Sequence, residues 1–203
     1  MSKEKLYLYP IWLRIWHGLN AVSIIALIIT GLSLQYSSID STILTFSKAV
    51  TFHNIFGILL AILFIPFIVG NLLTENGKFY KLSLKGLMKR IITQFKFYLI
   101  GYFKNEDAPF PVNEKRKFNP LQKVSYVLTM YVFFPLVIIS GFGLLFPEMI
   151  MQKVFGFSGI QLTAIFHSIM GFFISFFLVI HIYIASVGKK PSKNFKSIIT
   201  GYH

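Results

Sequence analysis

Cysteine is absent from all 203 residues, which excludes disulfides, thiolate-held iron–sulfur clusters and thioether-attached c-type haem. Acidic residues are scarce, seven against 20 Lys and Arg. All seven, Glu4, Asp40, Glu75, Glu106, Asp107, Glu114 and Glu148, fall outside the long apolar runs. The carboxylates that intramembrane ion and proton pathways normally recruit are therefore missing. The chain also lacks a nucleotide-binding glycine loop, a Ser or Cys nucleophile constellation, a solenoid repeat and a polar stretch of domain size.

What remains is 55% apolar and 17% aromatic, with a positive mean hydropathy, a composition for a membrane rather than for water. Apolar runs long enough to cross about 30 Å of hydrocarbon occupy about 11–34, 50–73, 121–146 and 161–187. The expected fold is all-α, a single domain over 1–203 built as a four-helix transmembrane bundle. The first run is too long for a signal-peptide core and no small-residue cleavage site follows it, so it reads as a permanent helix.

Of the 20 basic residues, 18 lie near the N-terminus, in the connection between runs two and three, or in the C-terminal tail; only Lys48 and Lys153 fall on the other side. The positive-inside rule then puts both termini and the long middle connection in the cytoplasm. The net charge of +13 is a topology signal, and no basic soluble domain points to nucleic acid. Between runs two and three, Leu84, Leu87, Met88, Ile91, Ile92, Phe95, Tyr98 and Leu99 recur at helical spacing, with Lys81, Lys85 and Lys89 on another face. This pattern predicts an amphipathic helix over about 78–103 lying among lipid headgroups, an anchor without chemistry of its own.

Four of the five histidines, His17, His53, His167 and His181, sit inside or at the edge of the apolar runs, where polar side chains are expensive and usually functional. His17 and His181 share one depth, and His53 and His167 share another. The fourteen residues from His167 to His181 span about 21 Å and four turns less about 40°, so both point from nearly one face of the last helix. Two imidazoles opposed at matched depth in an apolar slot suit a bis-histidine haem. The expectation is two b-type haems, His17/His181 toward the cytoplasm and His53/His167 toward the outside, with these four residues as iron ligands. A zinc or copper site would need its ligands to converge on one point.

Gly57 and Gly171 lie one turn deeper than His53 and His167 in the matching frames HNIFG and HSIMG, which could let a porphyrin approach the backbone or simply let helices pack. Arg14, one turn outside His17, could meet a haem propionate or a lipid headgroup.

The segments LRIWHGLNA, TFHNIFG, KFNPLQKVSYVL, ISGFGLLFP, HSIMG with HIYIA, and SIITGY resemble the bacterial dihaem cytochrome b subunits that anchor nickel–iron hydrogenases, formate dehydrogenases and thiosulfate reductases. They are most similar to the thiosulfate reductase branch. The resemblance covers almost the whole chain. It implies an electron-transfer subunit rather than a substrate-catalytic chain, one that exchanges electrons with menaquinone or ubiquinone and passes them through two haems. The partner would be a redox subunit on the periplasmic side, of iron–sulfur, molybdenum, hydrogenase or multihaem cytochrome c type. In relatives the quinone site lies near the cytoplasmic-side haem, which makes Asn20, Asn119, Gln122 and Lys123 candidate quinone contacts. The short outer loops, about 35–49 and 147–160, are where a partner would dock. Two other readings stay open at this level: a self-sufficient cytochrome acting on a small molecule at its own surface, and a haem-free transporter or scaffold.

Overall fold

In hydrocarbon a backbone must satisfy its own hydrogen bonds, and a helix does so within one segment. The computed structural model describes residues 6–36, 44–187 and 192–203; of the outer segment 35–49, residues 37–43 with Asp40 lie outside them, as does Glu4. In chain order the helices are α1 (Ile11–Tyr36), α2 (Phe46–Leu73), α3 (Leu87–Lys96), α4 (Pro120–Leu128), α5 (Phe134–Leu145), α6 (Gly159–Ser186) and α7 (Ser192–Thr200). A π-helical turn, Thr129–Phe133, joins α4 to α5, so Pro120–Leu145 is one span and four helices are long and apolar enough to cross a membrane. The fold is an all-α membrane architecture. The π turn ends just before Pro135, whose ring would otherwise clash with the carbonyl four residues back.

Helix α2 starts at Phe46, four residues earlier than hydropathy suggests, because Lys48 interrupts an apolar window but not a hydrogen-bond ladder. The expected interfacial helix over about 78–103 is broken into parts. A 3-10 turn, Glu75–Tyr80, is capped by the Thr74 hydroxyl, and α3 begins only after Gly86, whose φ of 64° no helix interior accepts. The Arg90 guanidinium closes the break by donating to the Ser83 and Lys85 carbonyls, both at 2.6 Å. Beyond it, α3 runs into a π turn, Phe97–Gly101. Met88, Ile92, Phe95 and Leu99 on this segment stay exposed, as an apolar face resting on lipid would.

Two compact units divide the chain. Unit one, Met1–Arg14, Val69–Tyr131 and Phe177–His203, has a polar interior. Its N-terminal strand-like segment pairs with the C-terminal one, Leu6 N–H to the His203 carbonyl at 3.2 Å and His203 N–H to the Leu6 carbonyl at 2.8 Å. Unit two, Ile15–Ile68 and Val132–Phe176, packs Trp16 on Phe67, stacked at 4.7 Å, with Phe64 between Phe67 and Phe134. The Trp16 indole donates to the Leu63 carbonyl at 2.8 Å.

In unit two large aliphatics such as Ile25, Ile62 and Ile139 are exposed, while Ser23, Thr30, Ser33 and Ser140 are buried. Lipid gives no hydrophobic drive between helices, so small residues take the contacts, and Ser23, Thr30 and Ser140 turn their hydroxyls to their own helix while Ser33 donates to the Leu44 carbonyl at 3.1 Å. Ser23 donates to Leu19 and Ser140 to Leu136, each four residues back. A two-stranded hairpin, β1 (Lys153–Val154) with β2 (Phe157–Ser158), turns through Phe155 and Gly156 at φ of 50° and 85°.

Candidate functional site

Helix α2 places His53 and helix α6 places His167 in unit two, and their rings lie 6.1 Å apart between centroids, at 74°. That spacing has a chemical meaning. Two rings this close would let both imidazoles serve a single metal centre, and His53 and His167 are the residues that would hold a haem iron here.

Both imidazoles are held from behind in the same way. Thr30 Oγ1 lies 2.9 Å from His53 Nδ1, and Ser140 Oγ lies 3.0 Å from His167 Nδ1. Each hydroxyl donates its own proton to the carbonyl four residues back, Ala26 at 2.8 Å and Leu136 at 2.7 Å. Each oxygen can then accept from an imidazole Nδ1–H, an arrangement that would leave the lone pair on Nε2. A fixed Nδ1–H tautomer is what an iron ligand bonding through Nε2 needs.

The residue after each hydroxyl is glycine. A Cβ at Gly31 would stand 3.5 Å from His53 Cε1, and one at Gly141 would stand 3.1 Å from His167 Cε1. Beside Gly57 and Gly171, by contrast, a Cβ would meet nothing within 4 Å, so open space adjoins the helix faces one turn below each ligand. Two neutral nitrogen donors and room beside their helices fit a porphyrin iron, and among the described residues no cluster of three or more His, Cys, Asp or Glu forms a conventional metal cage.

Composition alone does not single out Thr30, Gly31, Ser140 and Gly141, yet the sequence carries a signal for them. IITGLSL in α1 and IISGFGL at the end of the third span agree at four of seven positions, with a hydroxyl before the shared glycine in each. Each supplies the hydroxyl–glycine pair to one histidine of the matched HNIFG and HSIMG frames.

His181 lies in unit one, on α6. The Tyr126 hydroxyl is 3.3 Å from its Nδ1, and Phe177 stacks on the ring at 5.5 Å and 19°. His17 belongs to unit two and is half-buried on α1.

The remaining sequence candidates, Asn20 excepted, have structural partners. Arg14 donates to the Ile199 carbonyl of α7, while its Nε is buried without an acceptor among the described residues. Asn119 and Gln122 form a capping box at the start of α4: Asn119 Oδ1 accepts from Gln122 N–H at 2.9 Å, and Gln122 Oε1 accepts from Asn119 N–H at 3.1 Å. The Asn119 amide donates to the Tyr98 hydroxyl at 2.8 Å. Lys123 Nζ reaches the Lys81 carbonyl at 3.3 Å. Asn20 Oδ1 is buried with no donor among the described residues.

Comparison with known proteins places these features in context. The model of the prokaryotic cytochrome b561 family matches residues 8–201. A chain of Escherichia coli (strain K12) that bears the name "Putative cytochrome YdhU" is 33% identical over 201 residues, covering 98% of this chain and 75% of the relative.

Proposed function

Because this chain belongs to the prokaryotic cytochrome b561 family, and is therefore a membrane cytochrome that carries b-type haem and transfers electrons, we propose that it is a dihaem subunit. It moves electrons across the bacterial cytoplasmic membrane between the quinone pool and an oxidoreductase partner on the periplasmic side. The observation that carries the reading is the His53–His167 pair, 6.1 Å apart, each with Nδ1 anchored to a hydroxyl. These two hold the outer-side haem. His17 and His181 hold the second, an assignment that rests on their matched depth in the sequence.

Haem supplies the one-electron redox chemistry when bound; the polypeptide supplies ligation, tautomer and dielectric. Thr30 and Ser140 orient the ligands, and lipid-facing Ile and Phe keep water from the site. Asn20, whose oxygen has no donor among the described residues, is the best placed of the four quinone candidates to accept from a hydroquinone hydroxyl; the side-chain oxygens of Asn119 and Gln122 are committed to capping. The distribution of lysine and arginine puts both termini in the cytoplasm. The outer segment 147–160 then offers the partner a hairpin whose tip, Phe155, is 98% exposed.

Purified in detergent, the protein should give about two b-type haems per chain in a pyridine haemochrome assay, with low-spin bis-imidazole spectra. One haem, or none, in correctly inserted protein refutes the dihaem reading. Turnover of a small molecule by the chain alone would remove the need for a partner. Reporter fusions at the C-terminus read the orientation directly.

A further inference from the structure

Unit one buries a lysine that the proposed electron path does not use. Lys117 is 3% exposed, just ahead of α4, and its Nζ donates to Asn76 Oδ1 at 3.0 Å. The Asn76 amide in turn donates to Asn71 Oδ1 at 2.7 Å. The rest of its surroundings is aromatic: Tyr9 at 4.2 Å from the ring centre, Phe79 and Phe118 at 5.6 Å. No carboxylate pairs with it among the described residues. A buried ammonium without a counter-ion is held at high electrostatic energy, so small changes in local potential decide whether it keeps its proton.

Two features couple this amine to its surroundings. On one side, Asn76 lines an open cleft of about 780 Å³ together with Leu8, Pro10, Trp12, Phe79 and Glu114, which gives protons a way in. On the other, Phe118 meets Tyr126 edge-on at 4.7 Å, and Tyr126 meets the His181 ring at 5.6 Å. The amine and the proposed iron ligand are thus separated by two aromatic rings, a low-dielectric gap across which one charge feels another.

We propose that Lys117 is a redox-linked proton-binding site, taking up one proton from the cleft when a haem held through His181 gains an electron and releasing it on reoxidation. The inference rests on the haem reading above. Its balance is simple: one electron from an external donor reduces iron(III) to iron(II), and one proton converts the neutral amine to ammonium. Burial already lowers the Lys117 pKa to about 7, so both forms are accessible near neutrality.

Other ionisable groups face it from the neighbouring elements. Burial raises the Tyr9 phenol to about 12 and raises Tyr80 as well. Glu75 pairs with Lys78 at 3.0 Å, both exposed. Glu114 is exposed in the loop, and Tyr126 stands behind Phe118.

The test is potentiometric titration of the haem-loaded protein from about pH 5.5 to about pH 9, following the component that His181→Ala removes. Its midpoint potential should be flat below about pH 7 and fall above it, with a slope approaching about 59 mV per pH unit, one proton per electron. Lys117→Met should give a flat line throughout. Asn76→Asp sets a carboxylate beside the ammonium and should move the onset upward by more than about one pH unit. A flat wild type, a slope that survives Lys117→Met, or an unmoved onset in Asn76→Asp overturns the proposal. Should Lys117→Met fail to load haem, wild type and Asn76→Asp still decide. Absence of haem from wild type would strike the haem reading instead, whereas haem with pH-independent potentials strikes only the lysine.

Discussion

Thr30 Oγ1 and His53 Nδ1 are 2.9 Å apart, and the hydroxyl proton is already committed to Ala26. The threonine is thus placed to accept from the imidazole N–H. Thr30→Val keeps the shape and removes that acceptor, so His53 loses the group that fixes its tautomer. Retention of the outer-side haem should weaken about 10–100-fold, while Thr30→Ser should be nearly silent. Haem dissociation measured with an apo-globin trap separates the two, and equal retention in Thr30→Val and wild type would refute the role.

The two glycines beside the ligands should differ. Gly141→Ala brings a Cβ to 3.1 Å from His167 Cε1, but Gly31→Ala brings one only to 3.5 Å from His53 Cε1. The first is tighter than an ordinary contact and must turn the ring; the second is normal packing. Gly141→Ala should shift the low-spin EPR g-values of one haem, and Gly31→Ala should leave them in place.

Single ligand changes test the pairing. His53→Ala and His167→Ala should abolish the same spectral component, and His17→Ala and His181→Ala the other. If each of the four removed both haems equally, the two-level arrangement would fail. Difference spectra of the reduced membranes suffice.

Lys117 also sets a pH dependence of stability. Its folded pKa is depressed from 10.5 to about 7, so between those values the unfolded chain binds a proton that the folded chain does not, and stability rises with pH across the window. Below about pH 7 the full penalty, about 4–5 kcal/mol, persists. Lys117→Met removes it but leaves Asn76 Oδ1 without its donor, a loss of about 1–3 kcal/mol. The variant should unfold at higher temperature than wild type at pH 7, and the order should reverse by about pH 10. Thermal melts in detergent at the two pH values check both signs.

The spans were legible because lipid leaves a backbone little choice, and the ends that moved did so where hydropathy and hydrogen bonding disagree, as at Lys48. The interfacial helix read as continuous because its apolar spacing continues through Gly86, where a left-handed residue interrupts the backbone but not the pattern. Asn119 and Gln122 look like ligand contacts in a greasy chain, yet NPLQ is an N-cap followed three residues on by glutamine, a local signal that accounts for both. Thr30 and Ser140 carry only a faint signal as partners of histidine, the shared hydroxyl–glycine pair, because a hydroxyl in an apolar run usually serves only its own helix. Their role needs the helix that crosses them.

The heptapeptides IITGLSL and IISGFGL each meet a histidine on the following span. Each pair of spans brings a whole imidazole holder: hydroxyl, glycine and ring. No single helix contains one, so neither ring can be held in place until its two spans have come together. Capacity to bind at this pair therefore reports on helix assembly as well as on the histidines themselves.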